Sequence, residues 1–277
     1  MSVQRMAPRK VDRMFRLRLR YEKRGPIRFT SHRDLMRVFR RAFASAEIPV
    51  CFSQGFNPHP RLSFGPSLRT GWEGCDECMD VFLDVPADDL SLRCNRYLPD
   101  GLRILEAAAV GATVPKLAAD VTAARYDVLL DDHDVFDCPQ GGRKPLLEKV
   151  AEDTPVGGPS WEARVLEGLT AAVRERFSGK SAPSEDRDAE RPAGATPVIL
   201  EVECDKVENG AATPVRVQFL STMHGGRSLF PEDILTPLLG EPSGYATPMG
   251  VVRMSLYVER GGRYISPMSR AALENKI

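Results

Sequence analysis

The chain has 277 residues, which suits two domains of ordinary size, and its apolar and charged fractions of 42% and 27% are those of a globular protein. The formal net charge is zero, but residues 1–72 contain 16 Lys and Arg against 4 Asp and Glu, so the rest of the chain contains 22 against 34. This asymmetry predicts an anionic partner for the first part of the chain, and a basic tail with solvated arginines is the alternative.

The sequence predicts a cytoplasmic location. No run of 18 apolar residues is present, so we expect no transmembrane helix. The N-terminus is basic but no apolar segment follows it, so we expect no secretory signal. The six cysteines are scattered through the sequence, which is typical of reduced thiols and not of a disulfide framework.

The first predicted strand follows a basic leader, residues 1–12, that we expect to be disordered. Residues 14–21 alternate strictly between apolar and basic side chains, which indicates a half-buried strand. Arg16, Arg18 and Arg20 should then form a row on its open side. Like charges at every second position repel each other unless something negative lies on that face.

The next element is an amphipathic helix. Ser31 can cap its N-terminus, with Asp34 three residues later in a variant of the capping box, and the helix should end before Pro49. One face is apolar, with Leu35, Phe39, Ala42, Phe43 and Ala46. The opposite face forms what we call the arginine ridge, made of Arg33, Arg37, Arg40 and Arg41.

The remaining elements of the first half complete a recognisable order. A strand pair is predicted at residues 61–70 and 79–85, joined by a turn of sequence GWEGCDEC. A short helix at 88–98 and a strand at 102–110 follow. The order β-α-β-β-α-β is that of the ferredoxin-like motif.

The second half repeats this order with insertions. Its predicted strands are 125–130, 198–203, 215–220 and 251–258, and its predicted helices are 161–177 and 231–239. The predicted fold class is therefore α+β, with two tandem ferredoxin-like (βαββαβ) domains whose antiparallel sheets carry helices on one face.

The predicted domain boundaries follow from this order. The N-terminal domain covers 13–112, the C-terminal domain covers 120–260, and 261–277 form a tail. The C-terminal domain contains an irregular insertion at 132–159 and, at 178–196, a linker of small and charged residues that we expect to be disordered.

A loop rich in Gly, Pro and aromatic residues, 52–61, is the second candidate for nucleic-acid binding. Aromatic and imidazole rings can stack on unpaired bases, and amide side chains can read base edges. The alternative is a loop that fills the core with Phe52 and Phe56. The candidate contacts of the loop are Gln54, Phe56, Asn57, His59 and Arg61.

Two histidines are candidate catalytic residues. His32 lies in the first turn of the amphipathic helix, where it could act as a general base in RNA cleavage. Its position on the apolar side of the helical wheel favours a structural role instead, and the helix N-terminus disfavours its protonation. His59 is the other candidate, and the sequence contains no complete catalytic arrangement.

Cys75 and Cys78 form a single CxxC pair, the only candidate for a metal site. A structural zinc needs two more ligands, and only distant cysteines and His59 could supply them. The pair falls in a predicted hairpin turn, whereas a thioredoxin-like motif opens a helix after a strand. We expect no metal and no cofactor.

Two runs of sequence identify a family resemblance. Residues 28–37 (RFTSHRDLMR) and 52–64 (FSQGFNPHPRLSF) resemble the radical-SAM-linked protein family, a bacterial domain of unknown function associated with radical-SAM proteins that carry a cobalamin-binding-like domain. The resemblance extends over about residues 14–130 and implies an accessory protein of a radical-SAM enzyme. The family offers no established catalytic residue to transfer, and the CxxC pair and the 178–196 linker depart from its pattern.

The sequence thus favours a non-enzymatic accessory protein that binds tRNA or rRNA through the arginine ridge, the arginine row of the first strand and the loop. Two alternatives remain open. One is a metal-independent RNA-processing or RNA-modifying enzyme that uses His32 or His59. The other is a protein–protein module that docks on a radical-SAM partner without RNA. CRISPR-repeat RNA endonucleases also use tandem ferredoxin-like domains, which is an analogy of fold alone.

Overall fold

The structure is a computed structural model that describes residues 14–130, 135–137, 143–145, 199–206, 215–223 and 250–275. Several predicted segments lie outside these residues. They are the leader 1–12, most of the insertion 132–159, the helices 161–177 and 231–239, and the linker 178–196.

The first half of the chain has the predicted order of helices and strands. Its elements are β1 (Phe15–Lys23), α1 (His32–Ser45), β2 (Leu62–Phe64), β3 (Glu73–Leu83), α2 (Leu90–Asn95) and β4 (Leu102–Ala109), with a 3₁₀ turn at Gly25–Phe29. Strand β1 lies between β3 and β4 and is antiparallel to both, while β2 pairs antiparallel with β3.

The remaining elements are mostly strands. They are α3 (Leu117–Asp120), β5 (Val121–Leu130), β6 (Val135–Asp137), β7 (Arg143–Pro145), β8 (Ile199–Lys206), β9 (Val215–Thr222), β10 (Gly250–Arg260), β11 (Arg263–Ile265) and α4 (Arg270–Glu274). Strands β8 and β9, which overlap the predicted strands 198–203 and 215–220, pair antiparallel, and β10 confirms the predicted strand at 251–258.

Strands from both halves of the chain lie in one sheet. Its order is β4-β1-β3-β10-β5-β9-β8, with β2 beside β3 and β11 beside β10. Strand β10 is antiparallel to β5 and joins β3 through a short parallel contact of two residue pairs, Val252 with Glu73 and Arg253 with Gly74. The fold is therefore a mixture of helices and strands with a mostly antiparallel sheet, and the division into two tandem domains stays a prediction.

Helix α1 packs its apolar face against the sheet, as its sequence predicts. Ser31 Oγ accepts a hydrogen bond from the Asp34 backbone N–H, and the helix ends at Ser45, before Pro49. The ring of Phe39 meets Tyr21 of β1 edge-on, with centroids 5.1 Å apart. Each large side chain buried in this way contributes about 1.5–3 kcal/mol, so the core fixes the direction in which the arginine ridge points.

The predicted strand pair differs from the observed one. Strand β2 covers three residues, because Pro66 has no N–H to continue a ladder; the N–H of Gly65 still donates to Cys78 O at 3.0 Å. Strand β3 begins at Glu73, so the predicted turn is wrong and the CxxC pair lies within a strand.

No helix in the described part of the chain is both long enough and apolar enough to cross a membrane.

Candidate nucleic-acid interface

The predicted open arginine row of β1 is covered by carboxylates of the chain itself. Arg18 is completely buried, and its Nε donates to Asp80 Oδ1 at 2.8 Å. Arg16 Nε donates to the other oxygen of Asp80 at 2.9 Å. Asp120, also buried, lies 3.7 Å from Arg18 and accepts a hydrogen bond from Arg260 of β10 at 2.6 Å. The like charges along β1 are therefore neutralised inside the fold.

The third arginine of the row is also paired. Arg20 donates to Asp76 at 3.3 Å and to Glu106 at 3.1 Å, and its side chain is about one-third exposed. Backbone oxygens of Pro267 and Val114 accept further hydrogen bonds from Arg18 and Arg16. The interpretation of this row as an open basic surface is wrong, because the later part of the chain covers that face of the sheet.

A second buried ion pair joins the two halves of the chain. Arg253 of β10 donates through Nε to Glu77 Oε1 of β3 at 2.7 Å, and both side chains are buried. Burial opposes the charge of Arg253, but Glu77 outweighs it and raises the pKa of the guanidinium. Arg253 also donates to the backbone oxygen of Pro66 at 2.8 Å, which holds the segment after β2 in place.

The arginine ridge of α1 remains on the surface. Arg33, Arg37 and Arg41 are exposed, and Arg40 is half-buried. Arg37 donates to Asp34 Oδ1 at 2.8 Å, an exposed pair one helical turn apart. Such a pair constrains the guanidinium only weakly, since solvent screens it. The ridge thus presents cationic side chains to solvent, in contrast to the row on β1.

The 52–61 loop closes on itself through backbone contacts. Phe52 and Pro60 form an isolated antiparallel bridge. The N–H of Ser53 donates to His59 O at 2.8 Å, and the N–H of His59 donates to Ser53 Oγ at 3.0 Å. Gly55 has φ of +138°, a conformation that residues with side chains rarely adopt. The loop therefore has a defined shape.

The base of the loop is attached to the end of β3. The N–H of Cys51 donates to Phe82 O at 2.7 Å, and the N–H of Phe82 donates to Arg61 O at 3.2 Å. The guanidinium of Arg61 lies over the Phe82 ring, 4.9 Å from its centroid. Because Leu83 pairs with Phe15, the loop projects from the end of the sheet where β1 begins.

The aromatic side chains of the loop point to solvent. Phe56 is fully exposed and Phe52 is 54% exposed. Gln54, Asn57 and His59 are also exposed. The alternative in which the two phenylalanines fill the core is therefore wrong. All the polar and aromatic side chains of the loop that are predicted to contact bases therefore lie on its outer surface.

A cleft of about 410 Å³ lies beside the loop. Its lining residues are Met14, Cys51, Phe52, Ser53, Gln54, Arg61 and Asp84. The Cys51 thiol donates to Asp84 Oδ1 at 3.0 Å. Burial, together with the neighbouring Asp84 carboxylate, raises the pKa of Cys51 to about 11, so the thiol keeps its proton at neutral pH. The sequence motif indicated the loop but not Asp84, which is 23 residues beyond Arg61 and reaches the cleft only because β3 ends there.

The two candidate histidines lie in different environments. His32 is half-buried at the start of α1, with its ring edge-on to Phe64 at a centroid distance of 5.1 Å. Burial, and then the charge of Lys23, lower the pKa of His32. A space of about 10 Å³ beside it has room for roughly one water molecule and not for a nucleotide. His59 lies on the exposed loop. The position of His32 agrees with a structural role.

The CxxC pair lies on strand β3 rather than in a turn. The register of β3 against β1 shifts between Glu77, which pairs with Tyr21, and Gly74, which pairs with Lys23, so the CxxC pair spans an irregularity of the strand. Cys78 is buried opposite Arg20, and the Cys75 sulfur lies 4.0 Å from that of Met254. Burial is the main cause that raises the pKa of both thiols. Across the residues that the structure describes, no three His, Cys, Asp or Glu side chains cluster as a metal site would require.

Several solved structures resemble this chain weakly. An unknown protein from Galdieria sulphuraria is 13% identical, with 82% of this chain and 90% of that chain covered and a TM-score of 0.23. Cse3 from Thermus thermophilus, bound to an RNA representing a pre-cleavage complex, is 16% identical, with coverage of 88% and 98% and a TM-score of 0.20. A RAMP protein binding different RNA substrates is 12% identical, with coverage of 89% and 100% and a TM-score of 0.20. Scores this low support no argument about fold or function, and no curated protein sequence matches the chain.

A family model does match, over residues 16–157, slightly more than half of the chain. Its description is "uncharacterized protein conserved in bacteria (DUF2344)". The matched range includes α1 and the loop, the two regions that suggested a bacterial domain of unknown function. The description names no radical-SAM enzyme, so that association stays a prediction. The chain belongs to this family of uncharacterized proteins conserved in bacteria.

Proposed function

We propose that this protein is an accessory protein that binds unpaired segments of tRNA or rRNA on the 52–61 loop and the arginine ridge, in support of RNA modification or processing. The main support is the fully exposed ring of Phe56 on a loop whose backbone is closed by hydrogen bonds. An exposed phenylalanine loses the free energy that burial would provide, about 1.5–3 kcal/mol. Stacking of the exposed ring on an RNA base would recover part of this free energy when RNA binds.

The loop offers the types of contact that single-stranded RNA needs. Aromatic side chains stack on bases at about 1–3 kcal/mol per base, whatever the sequence. Phe56 and Phe52 provide two such rings, and the amides of Gln54 and Asn57 can pair with base edges. Because the loop is already ordered, less conformational entropy is lost on binding.

The arginine ridge supplies the electrostatic part of the proposal. Exposed guanidinium groups bind phosphate oxygens through two parallel hydrogen bonds and displace counterions from the RNA. Arg33, Arg37 and Arg41 are the exposed members of the ridge. Arg16, Arg18 and Arg20 are left out of the proposed interface, because carboxylates of the chain already neutralise them.

The proposed protein partner is a radical-SAM enzyme in the cytoplasm. Support for this partner is limited to the sequence resemblance of residues 28–37 and 52–64. Cys51, Cys75, Cys78 and Cys94 are free thiols, which suits a reducing compartment. The test is purification of the tagged protein from its own bacterium, with and without nuclease treatment, followed by identification of a radical-SAM protein in the eluate. An eluate that contains no radical-SAM protein would contradict this part of the proposal.

The RNA part is tested by filter binding of bulk tRNA and of rRNA fragments. We expect binding that weakens steeply between about 50 and 200 mM salt, as phosphate contacts require. Absence of binding, or affinity that is indifferent to salt, would contradict the proposal. A radical-SAM partner retained after nuclease treatment by a protein that binds no RNA would instead favour the protein–protein alternative.

A further inference from the structure

We propose that the cleft beside the loop accepts one unstacked guanine base and that Asp84 recognises its Watson–Crick edge. This inference rests on the proposed RNA binding and adds base specificity to it. The relevant features are a cleft of about 410 Å³, an aromatic wall, a cation and a single carboxylate. A cleft of this size is in the range that small-molecule sites occupy.

Asp84 is held in a defined position at the cleft. Its backbone N–H donates to Pro49 O at 2.9 Å, directly beyond the end of β3. Its Oδ1 accepts the Cys51 thiol hydrogen at 3.0 Å, and Cys51 is itself buried. Since that thiol stays protonated at neutral pH, it remains a donor and orients the carboxylate. The residue itself is exposed, so a ligand in the cleft can reach it.

A carboxylate in an RNA-binding cleft selects for hydrogen-bond donors. It repels phosphate and the carbonyl edges of bases, but it accepts hydrogen bonds from N–H groups. Guanine presents two adjacent donors, N1–H and the N2 amino group, which match the two oxygens of a carboxylate. Adenine and cytosine present one amino group beside an acceptor nitrogen, and uracil presents one N–H between two carbonyls. Asp84 therefore favours guanine over the other three bases.

The other walls of the cleft suit the rest of a nucleotide. Phe52 is 54% exposed and lines the cleft, so its ring can stack on the base. Arg61 is exposed, and its guanidinium is held over Phe82, where it can meet an adjoining phosphate. Gln54 provides an amide that can donate to the O6 of guanine. Stacking, charge and edge recognition are thus available within one cleft.

The test is fluorescence anisotropy with a labelled short oligouridylate that carries one central guanosine, adenosine, cytidine or inosine. Inosine lacks the N2 amino group and so removes one of the two donors. We expect the guanosine oligonucleotide to bind about tenfold more tightly than the adenosine one, with inosine in between. The variant Asp84→Asn should lose this preference and should bind plain oligouridylate no less tightly than wild type does. Asp100→Asn is the control, because it removes an exposed carboxylate near the C-terminal end of β1, far from the cleft. It should keep the preference for guanosine.

The outcomes separate this inference from the proposed function. Equal affinity of the wild-type protein for all four oligonucleotides would overturn guanine recognition and leave RNA binding intact. An unchanged preference in a folded Asp84→Asn protein would overturn the role of Asp84. If no oligonucleotide binds, both the inference and the proposed function are wrong. The comparison of guanosine with inosine uses only wild-type protein, so it does not depend on the folding of any variant.

Discussion

Arg18 and Asp80 form an ion pair whose side chains are both completely buried, with Arg18 Nε 2.8 Å from Asp80 Oδ1. The pair joins β1 to β3, and Arg18 also donates to Pro267 O near the end of the described chain. Arg16 shares the same carboxylate. Residues that a sequence pattern assigns to an RNA surface therefore hold together three distant parts of the fold.

Replacement of the shared carboxylate should destabilise the protein. Asp80→Asn leaves two guanidinium groups without their buried counter-charge, and breaking a buried pair costs about 3–5 kcal/mol. We expect a loss of about 3 kcal/mol in the free energy of unfolding, because Asp120 still lies 3.7 Å from Arg18. Urea denaturation followed by circular dichroism measures the change.

Glu106→Gln is the control for this prediction. Glu106 pairs with Arg20 of the same arginine row, but its side chain is 48% exposed. Removal of its charge should cost about 0–1 kcal/mol, as for other surface pairs. Equal losses of stability in Asp80→Asn and Glu106→Gln would show that the buried network has no special role.

Phe56→Ala should weaken RNA binding without weakening the fold. The ring is fully exposed, so its loss removes no packing. Loss of one stacking contact should raise the dissociation constant for single-stranded RNA by about 5- to 150-fold, the equivalent of about 1–3 kcal/mol. Anisotropy titration and thermal unfolding, carried out on the same samples, measure the two effects.

Phe29→Ala is the matched control for the loop variant. Phe29 is 63% exposed and lies in the turn before α1, away from the loop. Its ring already has a partner, since the Arg28 guanidinium lies 4.9 Å from its centroid. We expect RNA affinity close to that of wild type. A similar loss in both variants would mean that the loop has no particular role in binding.

Neutral substitutions on the arginine ridge should reduce the salt dependence of binding. Each of Arg33→Gln, Arg37→Gln and Arg41→Gln removes one phosphate contact at most, so the slope of log K against log salt should fall by about 0.7 per substitution on single strands. Arg263→Gln, which alters an exposed arginine of β11, should leave the slope unchanged. If a variant that carries all three substitutions has the same slope as wild type, α1 does not contact the RNA.

His32 should make the fold sensitive to mild acid. Burial and Lys23 lower its pKa in the folded state, so the unfolded chain takes up a proton first as the pH falls below the usual histidine value of about 6.5. Proton uptake by the unfolded state favours unfolding, and stability is therefore lost as the pH decreases through this window. Between about pH 7.5 and 5.5 the melting temperature of wild type should fall further than that of His32→Gln. If the melting temperatures of wild type and His32→Gln change in parallel with pH, the pKa of His32 is not lowered in the folded state.

Local signals in the sequence predicted helix α1 correctly. Ser31 and Asp34 define its start, and the spacing of Leu35, Phe39 and Phe43 defines its buried face. Both signals act over three or four residues, the range over which helical neighbours contact each other. The exposed position of the ridge follows from the same geometry.

The arginine row of β1 could not be interpreted from the strand alone. Alternation shows that one face is polar, but it does not show whether water, RNA or another part of the chain covers that face. The carboxylates beside Arg16 and Arg18 are Asp80 and Asp120, more than 60 positions away, and no local pattern connects them to β1. Asp84 was missed for the same reason, since only the end of β3 brings it to the cleft.

Ultraviolet cross-linking of bound RNA, followed by mass spectrometry of tryptic peptides, tests the central claim most directly. The loop lies within a single tryptic peptide, AFASAEIPVCFSQGFNPHPR, which follows Arg41 and ends at Arg61. We predict that this peptide carries the main RNA adduct and that Phe56→Ala reduces the adduct. Adducts confined to other peptides, or none above the level of a protein that does not bind RNA, would contradict the assignment of the RNA interface to the loop.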